Sequence, residues 1–207
     1  MSMKHDTEKH YRRSVRLKEY DYSAKGSYFV TICTKEKKYL LGDVVNGEMI
    51  LSGIGEIVKQ CWIGISNHFS HVQLDKYVIL PNHVHGIIVI VGDVGVENIE
   101  PYKRVGNIQP LRKINRYQKI IPGSLGSIVR GFKIGVSKCC NQHNYSSFAW
   151  QRNYYEHIVR NEDALNLIRG YIVNNPLQWQ FDRENPNHIQ DESYDNQWKY
   201  LIETVTN

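Results

Sequence analysis

The stretch from residue 77 to residue 90, YVILPNHVHGIIVI, sets two histidines, His83 and His85, inside an otherwise apolar run. Alternation with a period of two is that of a β-strand, so both imidazoles leave the same face. Pro81 has no N–H to give a sheet ladder and belongs in a connection, which divides the stretch into strands over 72–80 and 83–91. Polar rings on so apolar a strand are costly unless something satisfies them. A same-face pair offers two imidazole nitrogens to one metal ion, with the main chain fixing their separation. Partly buried histidines bonded to backbone or water are the plainer alternative.

Outward from this stretch the chain reads as an alternation of strands and helices. SYFVTICT, 27–34, is β-branched and aromatic, hence a strand, and GEMILS, 47–52, follows an Asn-Gly turn signal as a second short one. From Ile54 to Phe69 the apolar residues Ile57, Val58, Cys61, Trp62 and Ile65 recur at helical spacing. Leu125, Ile128, Val129, Phe132 and Val136 line one face of a further helix, with Arg130 and Lys133 directed elsewhere and Cys139 and Cys140 as small helix residues, one of them buried. A last helix starts near Glu162, with Asn161 as its N-cap, and stops at Asn175 because Pro176 follows. Strands with helices packed on an antiparallel sheet predict an α+β fold of the ferredoxin-like kind.

A chain of 207 residues suits a single domain, and 41% hydrophobic with 23% charged residues is ordinary for a globular protein. The predicted organisation is one domain over 1–207, with a basic N-terminal arm (1–26), a long basic excursion (92–122) and a C-terminal tail (180–207). No apolar run is long enough to span a bilayer, and the polar N-terminus does not read as a signal peptide. Cys33, Cys61, Cys139 and Cys140 form no C-x-x-C pair, which argues against a disulfide framework or structural zinc and predicts a cytoplasmic protein. The net charge of +5 is segregated: 1–18 and 102–122 are basic, whereas 182–195 is acidic. Basic segments interleaved with Tyr102 and Tyr117 suit a polyanion such as nucleic acid, and solvated surface charge accounts for them equally well.

If His83 and His85 hold a metal, a third ligand and a nucleophile must come from a second rigid element. The last helix carries Tyr171 and Asn175 four residues apart, roughly 40° apart around the axis, so both point the same way. Asn175 offers a carbonyl oxygen and Tyr171 a phenol. On periodicity alone, Tyr171 is equally a core aromatic beside Leu167 and Ile168.

YVILPNHVHGIIVI followed by WQRNYYEHIVRNEDALNLIRGYIVNNP resembles the REP-associated tyrosine transposases, a branch of the HUH (His, bulky hydrophobic, His) single-strand DNA transposases. His83-Val84-His85 fits the HUH pattern, and RRSVRLKEYDYSAKGSYFVTICT extends the likeness over most of the chain. The resemblance implies a ferredoxin-like (RRM-like) HUH fold that cleaves and rejoins single-stranded DNA through a 5′-phosphotyrosine. It implies Tyr171 as nucleophile, five residues before the terminating proline, with His83, His85 and Asn175 as ligands of a divalent metal, Mg2+ or Mn2+. The partners implied are stem-loop DNA hairpins from repeated extragenic palindromes (REP), handled by a monomer acting in cis. For such a substrate Arg12, Arg13, Arg16, Arg130 and Lys133 are the candidate backbone contacts.

Other readings remain. The first is a catalytically inactive nucleic-acid-binding module with structural histidines. A two-histidine phosphoesterase needs two H-x-[ST] motifs, matched only superficially by His5 and His68. A histidine-triad hydrolase needs a third alternating histidine where Ile87 stands. Tyr154-Tyr155 suggests a two-tyrosine nuclease, but adjacent residues cannot both face one metal, so packing is expected of them. His157 is expected to have a supporting or structural role.

Overall fold

The strand that carries the histidines is buried along nearly its whole length, which requires neighbours on both edges and cover on both faces. A computed structural model describes residues 20–92, 121–196 and 199–200. Arg12, Arg13, Arg16 and nearly all of the basic excursion lie outside the described residues. The elements are β1 (Gly26–Cys33), β2 (Gly42–Val45), β3 (Glu48–Leu51), α1 (Gly53–Ile63), α2 (Ile65–His68), β4 (Val72–Leu80), β5 (His83–Ile90), α3 (Leu125–Gln142), β6 (Tyr155–Val159) and α4 (Glu162–Asn174). A 3-10 turn, Asn175–Phe181, follows α4.

The main sheet runs β4-β5-β1-β6 with every neighbour antiparallel. β1 and β4, successive along the chain among the strands of this sheet, are not adjacent, because β5 lies between them. The β1-α1-β4-β5-α3-β6 path is therefore the interleaved βαβ arrangement of a ferredoxin-like α+β fold. A small hairpin, β2–β3, is inserted ahead of α1, and Asn46 (φ 52°) with Gly47 (φ 80°) makes its turn, as Asn-Gly does. Pro81-Asn82 connects β4 to β5, with Leu80 opposite His83.

Side-chain parity sorts the sheet into two cores. Tyr28, Val30, Ile32, Val84 and Ile88 face α1 and α3, where they meet Val58, Trp62, Ile128 and Phe132. Phe29 and Ile87 face the other way, against Ala164, Leu165, Ile168 and Ile172 of α4. His83 and His85 share the parity of Ile87 and so open toward α4. Gly86 faces the first core, where a Cβ would stand 2.2 Å from Cζ2 of Trp62; only a glycine lets that indole lie on the strand.

Two details differ from the sequence expectation. The helix predicted over 54–69 ends at Gly64 and resumes as the single turn α2. Strand β6 carries Glu156 and His157 in its middle, which interrupts the apolar alternation that would have announced it. Tyr154 and Tyr155 pack into opposite cores, consistent with the expected packing roles. Asn161 does cap α4, accepting from the Ala164 N–H at 2.8 Å. No helix among the described residues is long and apolar enough to cross a membrane.

Candidate metal centre

β5 delivers the imidazoles of His83 and His85 with ring centroids 4.3 Å apart, both buried. Each ring is fixed from behind. Asn82 Oδ1 lies 2.7 Å from His83 Nδ1, and the Asn82 amide donates to the carbonyls of Lys37 (3.2 Å) and Glu184 (2.7 Å). The amide is thereby oriented with its oxygen toward the ring, so His83 Nδ1 carries the proton and Nε2 keeps a bare lone pair. That Nε2 is buried with no hydrogen-bond partner among the described residues, an arrangement that costs about 1–3 kcal/mol unless a ligand is met there. Thr31 Oγ1, opposite His85 in the ladder, lies 2.8 Å from His85 Nδ1 and turns Nε2 of that ring the same way. Burial, with the neighbouring His85 second, pushes His83 down to about 3, so this ring is neutral and ready to ligate at neutral pH.

α4 supplies the opposite wall. Its apolar face seats on Phe29 and Ile87, and Arg169 ties it to β4 through Asp75, with Nη2–Oδ2 at 2.6 Å. This rotation brings the Tyr171 hydroxyl 3.2 Å from His85 Nε2, while the Phe29 ring stacks on His85 with centroids 5.3 Å apart. Asn175, one turn on, is buried; its Nδ2 donates to Asp182 at 3.1 Å, and its Oδ1 is a second buried acceptor without a hydrogen bond among the described residues. The sequence-predicted His83, His85, Tyr171 and Asn175 thus come together.

One further residue, Asp182, was not anticipated. The turn after Pro176 carries its carboxylate back over the imidazoles, with Oδ2 3.6 Å from His85 Nε2 and 3.9 Å from His83 Nε2. Tyr171 donates to the same oxygen at 3.2 Å, and the Glu184 N–H holds Oδ1 at 2.7 Å. The returning segment is anchored by Lys37–Glu184 at 3.1 Å and by the Tyr39 hydroxyl on Asn185. Sequence offered no signal for it, since Asp182 follows an irregular turn and opens a run that reads as a solvated acidic tail.

The ligand atoms of His83, His85 and Asp182 all lie within 4.8 Å of one another. Their N···O separations are too long for hydrogen bonds and near the roughly 3.0–3.6 Å that two ligands at ~2.1 Å from a shared ion adopt. A bare imidazole nitrogen, a buried amide oxygen without a partner and a carboxylate form a donor set that fits a divalent cation. Burial works to raise the Asp182 carboxyl, but the imidazoles of His83 and His85 and the Asn175 amide hold it below the usual carboxylate range. Tyr171 is pushed the other way, well above the ordinary phenol value, by burial and then by the Asp182 charge. The phenol is therefore a proton donor at neutral pH and needs an acceptor before it can attack.

The other predicted residues lie elsewhere. Arg130 is exposed on α3, which packs on the opposite sheet face. Lys133 Nζ donates to the carbonyls of Gln151 (2.8 Å) and Asn153 (3.0 Å), so it braces the segment entering β6. Burial lowers its amine to about 8. His68 is exposed on α2, His5 lies outside the described residues, and Ile87 packs under α4.

The α+β fold is similar to that of one solved transposase. Over 80% of this chain and 74% of the other it matches a REP-associated tyrosine transposase solved with a REP hairpin bound, at a TM-score of 0.51 and 17% identity. No family model matches the sequence. The chain belongs to the family of an "Uncharacterized protein" of Haemophilus influenzae, with which it is 43% identical over 183 residues, 88% of this chain and 98% of that one.

Proposed function

We propose that this protein is a metal-dependent single-stranded DNA transposase or endonuclease that cuts and rejoins strands at stem-loop, REP-like sequences through a 5′-phosphotyrosine on Tyr171. The observation that carries the reading is the meeting, around one small buried volume, of the Tyr171 hydroxyl with His85 Nε2 at 3.2 Å and with the Asp182 carboxylate at 3.2 Å. A nucleophile and a ligand set arriving from α4, β5 and the returning turn are what phosphoryl transfer to a side chain requires.

His83 and His85 would hold a divalent cation, with Asp182 and the Asn175 carbonyl oxygen completing the set. When bound, the cation supplies positive charge to the non-bridging oxygens of the scissile phosphate. Mn2+ accepts imidazole nitrogen more readily than Mg2+ does. The remaining work belongs to the chain. Phe29 and the α4 packing aim the phenol, and Asp182 orients it by accepting its hydrogen bond. The Tyr171 oxygen forms the new bond to phosphorus as the bond to the 3′ oxygen breaks, and the proton that Tyr171 gives up ends on that oxygen, which leaves as a 3′-hydroxyl. Attack by another 3′-hydroxyl reverses the step, joins strands and returns the proton to tyrosine.

The partner in this reading is single-stranded DNA beside a hairpin, acted on by a monomer in the cytoplasm. Incubation with single-stranded hairpin DNA and Mn2+ should give a conjugate that survives denaturation and is lost in Tyr171→Phe. Failure of the parent protein to form any conjugate, with binding retained, would leave a nucleic-acid-binding module of the same fold.

A further inference from the structure

On the sheet face away from the histidines, α3 and the segment 148–154 enclose an open groove of about 940 Å³. Its rim carries Arg130, Lys133, Lys138 and Arg152, and no acidic residue lines it among the described residues. Its floor includes Trp150, whose half-buried ring packs edge-on to Phe148 with centroids 5.0 Å apart, and Tyr154, with Lys133 5.9 Å above its ring. Lys133 binds the carbonyls of Gln151 and Asn153, so the loop that carries Arg152 is fixed rather than free to close over a ligand.

The groove also connects to the histidine strand. Gln151 N–H donates to the Cys33 carbonyl at 2.9 Å, and Cys33 pairs with His83 in the neighbouring ladder. Two strand spacings, about 10 Å, therefore separate the Gln151 backbone from that of His83, with the groove and the candidate metal centre on opposite faces of the sheet. A basic rim over aromatic faces is the chemistry that holds an unpaired polynucleotide: cations on phosphates, rings under bases. An acidic peptide would satisfy the rim alone.

We infer that the groove between α3 and residues 148–154 is a binding track for single-stranded nucleic acid. This rests on the strand-transfer reading for its substrate, but the groove is a separate surface and fails separately. Arg130, Lys138 and Arg152 are exposed and stand outside the metal centre, so the triple variant Arg130→Ser/Lys138→Ser/Arg152→Ser should keep the parent's melting temperature.

The test is fluorescence anisotropy with a labelled oligothymidylate and with a blunt stem-loop, in metal-free buffer across a salt series. Each lost phosphate contact removes about 0.7 from the salt slope on single strands, so the triple variant should lose about 2 in slope and roughly tenfold to a hundredfold in oligothymidylate affinity at 0.1 M salt. Photocrosslinking through 5-iodouracil should label peptides holding Trp150 or Tyr154. Unchanged affinity and slope in the triple variant, or equal competition by polyglutamate of matched charge, overturns the inference. If the triple variant binds normally and still forms the Tyr171 conjugate, only the groove is wrong. If it loses binding while the parent forms no conjugate, the groove stands and catalysis falls.

Discussion

Manganese should stabilise this fold, and it should do so through His83. The bare Nε2 of that ring, the Nε2 of His85 and the Asp182 carboxylate exist as a cluster only in the folded chain, so an ion that binds them favours the native state. At a free ion concentration one hundred times the dissociation constant the gain is about 2.7 kcal/mol. For a domain of this length each kcal/mol moves the midpoint by about 2–4 °C, so the expected rise is roughly 5–11 °C. Because burial holds His83 well below the ordinary histidine range, this ring need not shed a proton to ligate at neutral pH. Magnesium, which prefers oxygen donors, should give a smaller shift. The assay is near-ultraviolet circular dichroism melting of the parent and of His83→Ala, each with Mn2+ and with chelator. Comparing each protein with itself removes the cost of the substitution. A parent that fails to respond to millimolar Mn2+, or a His83→Ala variant that responds as fully, would refute the reasoning.

The groups around the centre set further expectations. Thr31→Val keeps the shape of the side chain but strips His85 Nδ1 of its partner at 2.8 Å; Mn2+ affinity should fall about 10–100-fold by calorimetry. Gly86→Ala drives a methyl to within 2.2 Å of the Trp62 ring and should cost about 1–3 kcal/mol in urea unfolding, without touching the metal site directly. Without metal, stability should be highest above the ordinary histidine value of 6.5 and fall as pH drops toward 3. Over that window the unfolded chain takes up a proton at His83 that the fold refuses, with a slope of at most about 1.4 kcal/mol per pH unit. Below the usual carboxylate range Asp182 adds a loss of the same sign, because its folded carboxyl is held low. Unfolding midpoints that stay flat between pH 7 and 4 would contradict the His83 assignment, and no further loss below pH 4 would contradict that of Asp182.

The parts of the centre that sequence revealed are those carried by regular elements. His83 and His85 follow from strand parity, and the shared direction of Tyr171 and Asn175 follows from helical spacing; both periods are fixed by the backbone. Asp182 escapes because a 3-10 turn and a loop, Asn175–Phe181 and beyond, have no period that predicts where they return. The ordering of β5 between β4 and β1 was within reach once the fold class was named. β6 was not, since an edge strand of five residues with Glu156 and His157 inside it resembles a loop. The groove escapes for another reason: Arg130 and Arg152 belong to distant segments, and only the packing of 148–154 against α3 makes them neighbours.

The central claim is a covalent bond between DNA and one phenol. Trypsin cuts after Arg169 and Arg183, which isolates Tyr171 in the peptide Gly170–Arg183, where it is the sole tyrosine. Mass spectrometry of the nuclease-trimmed conjugate formed with hairpin DNA and Mn2+ should find nucleotide phosphate on that peptide. Nucleotide found instead on the peptide holding Tyr154 and Tyr155, or on no tyrosine at all, would contradict the account.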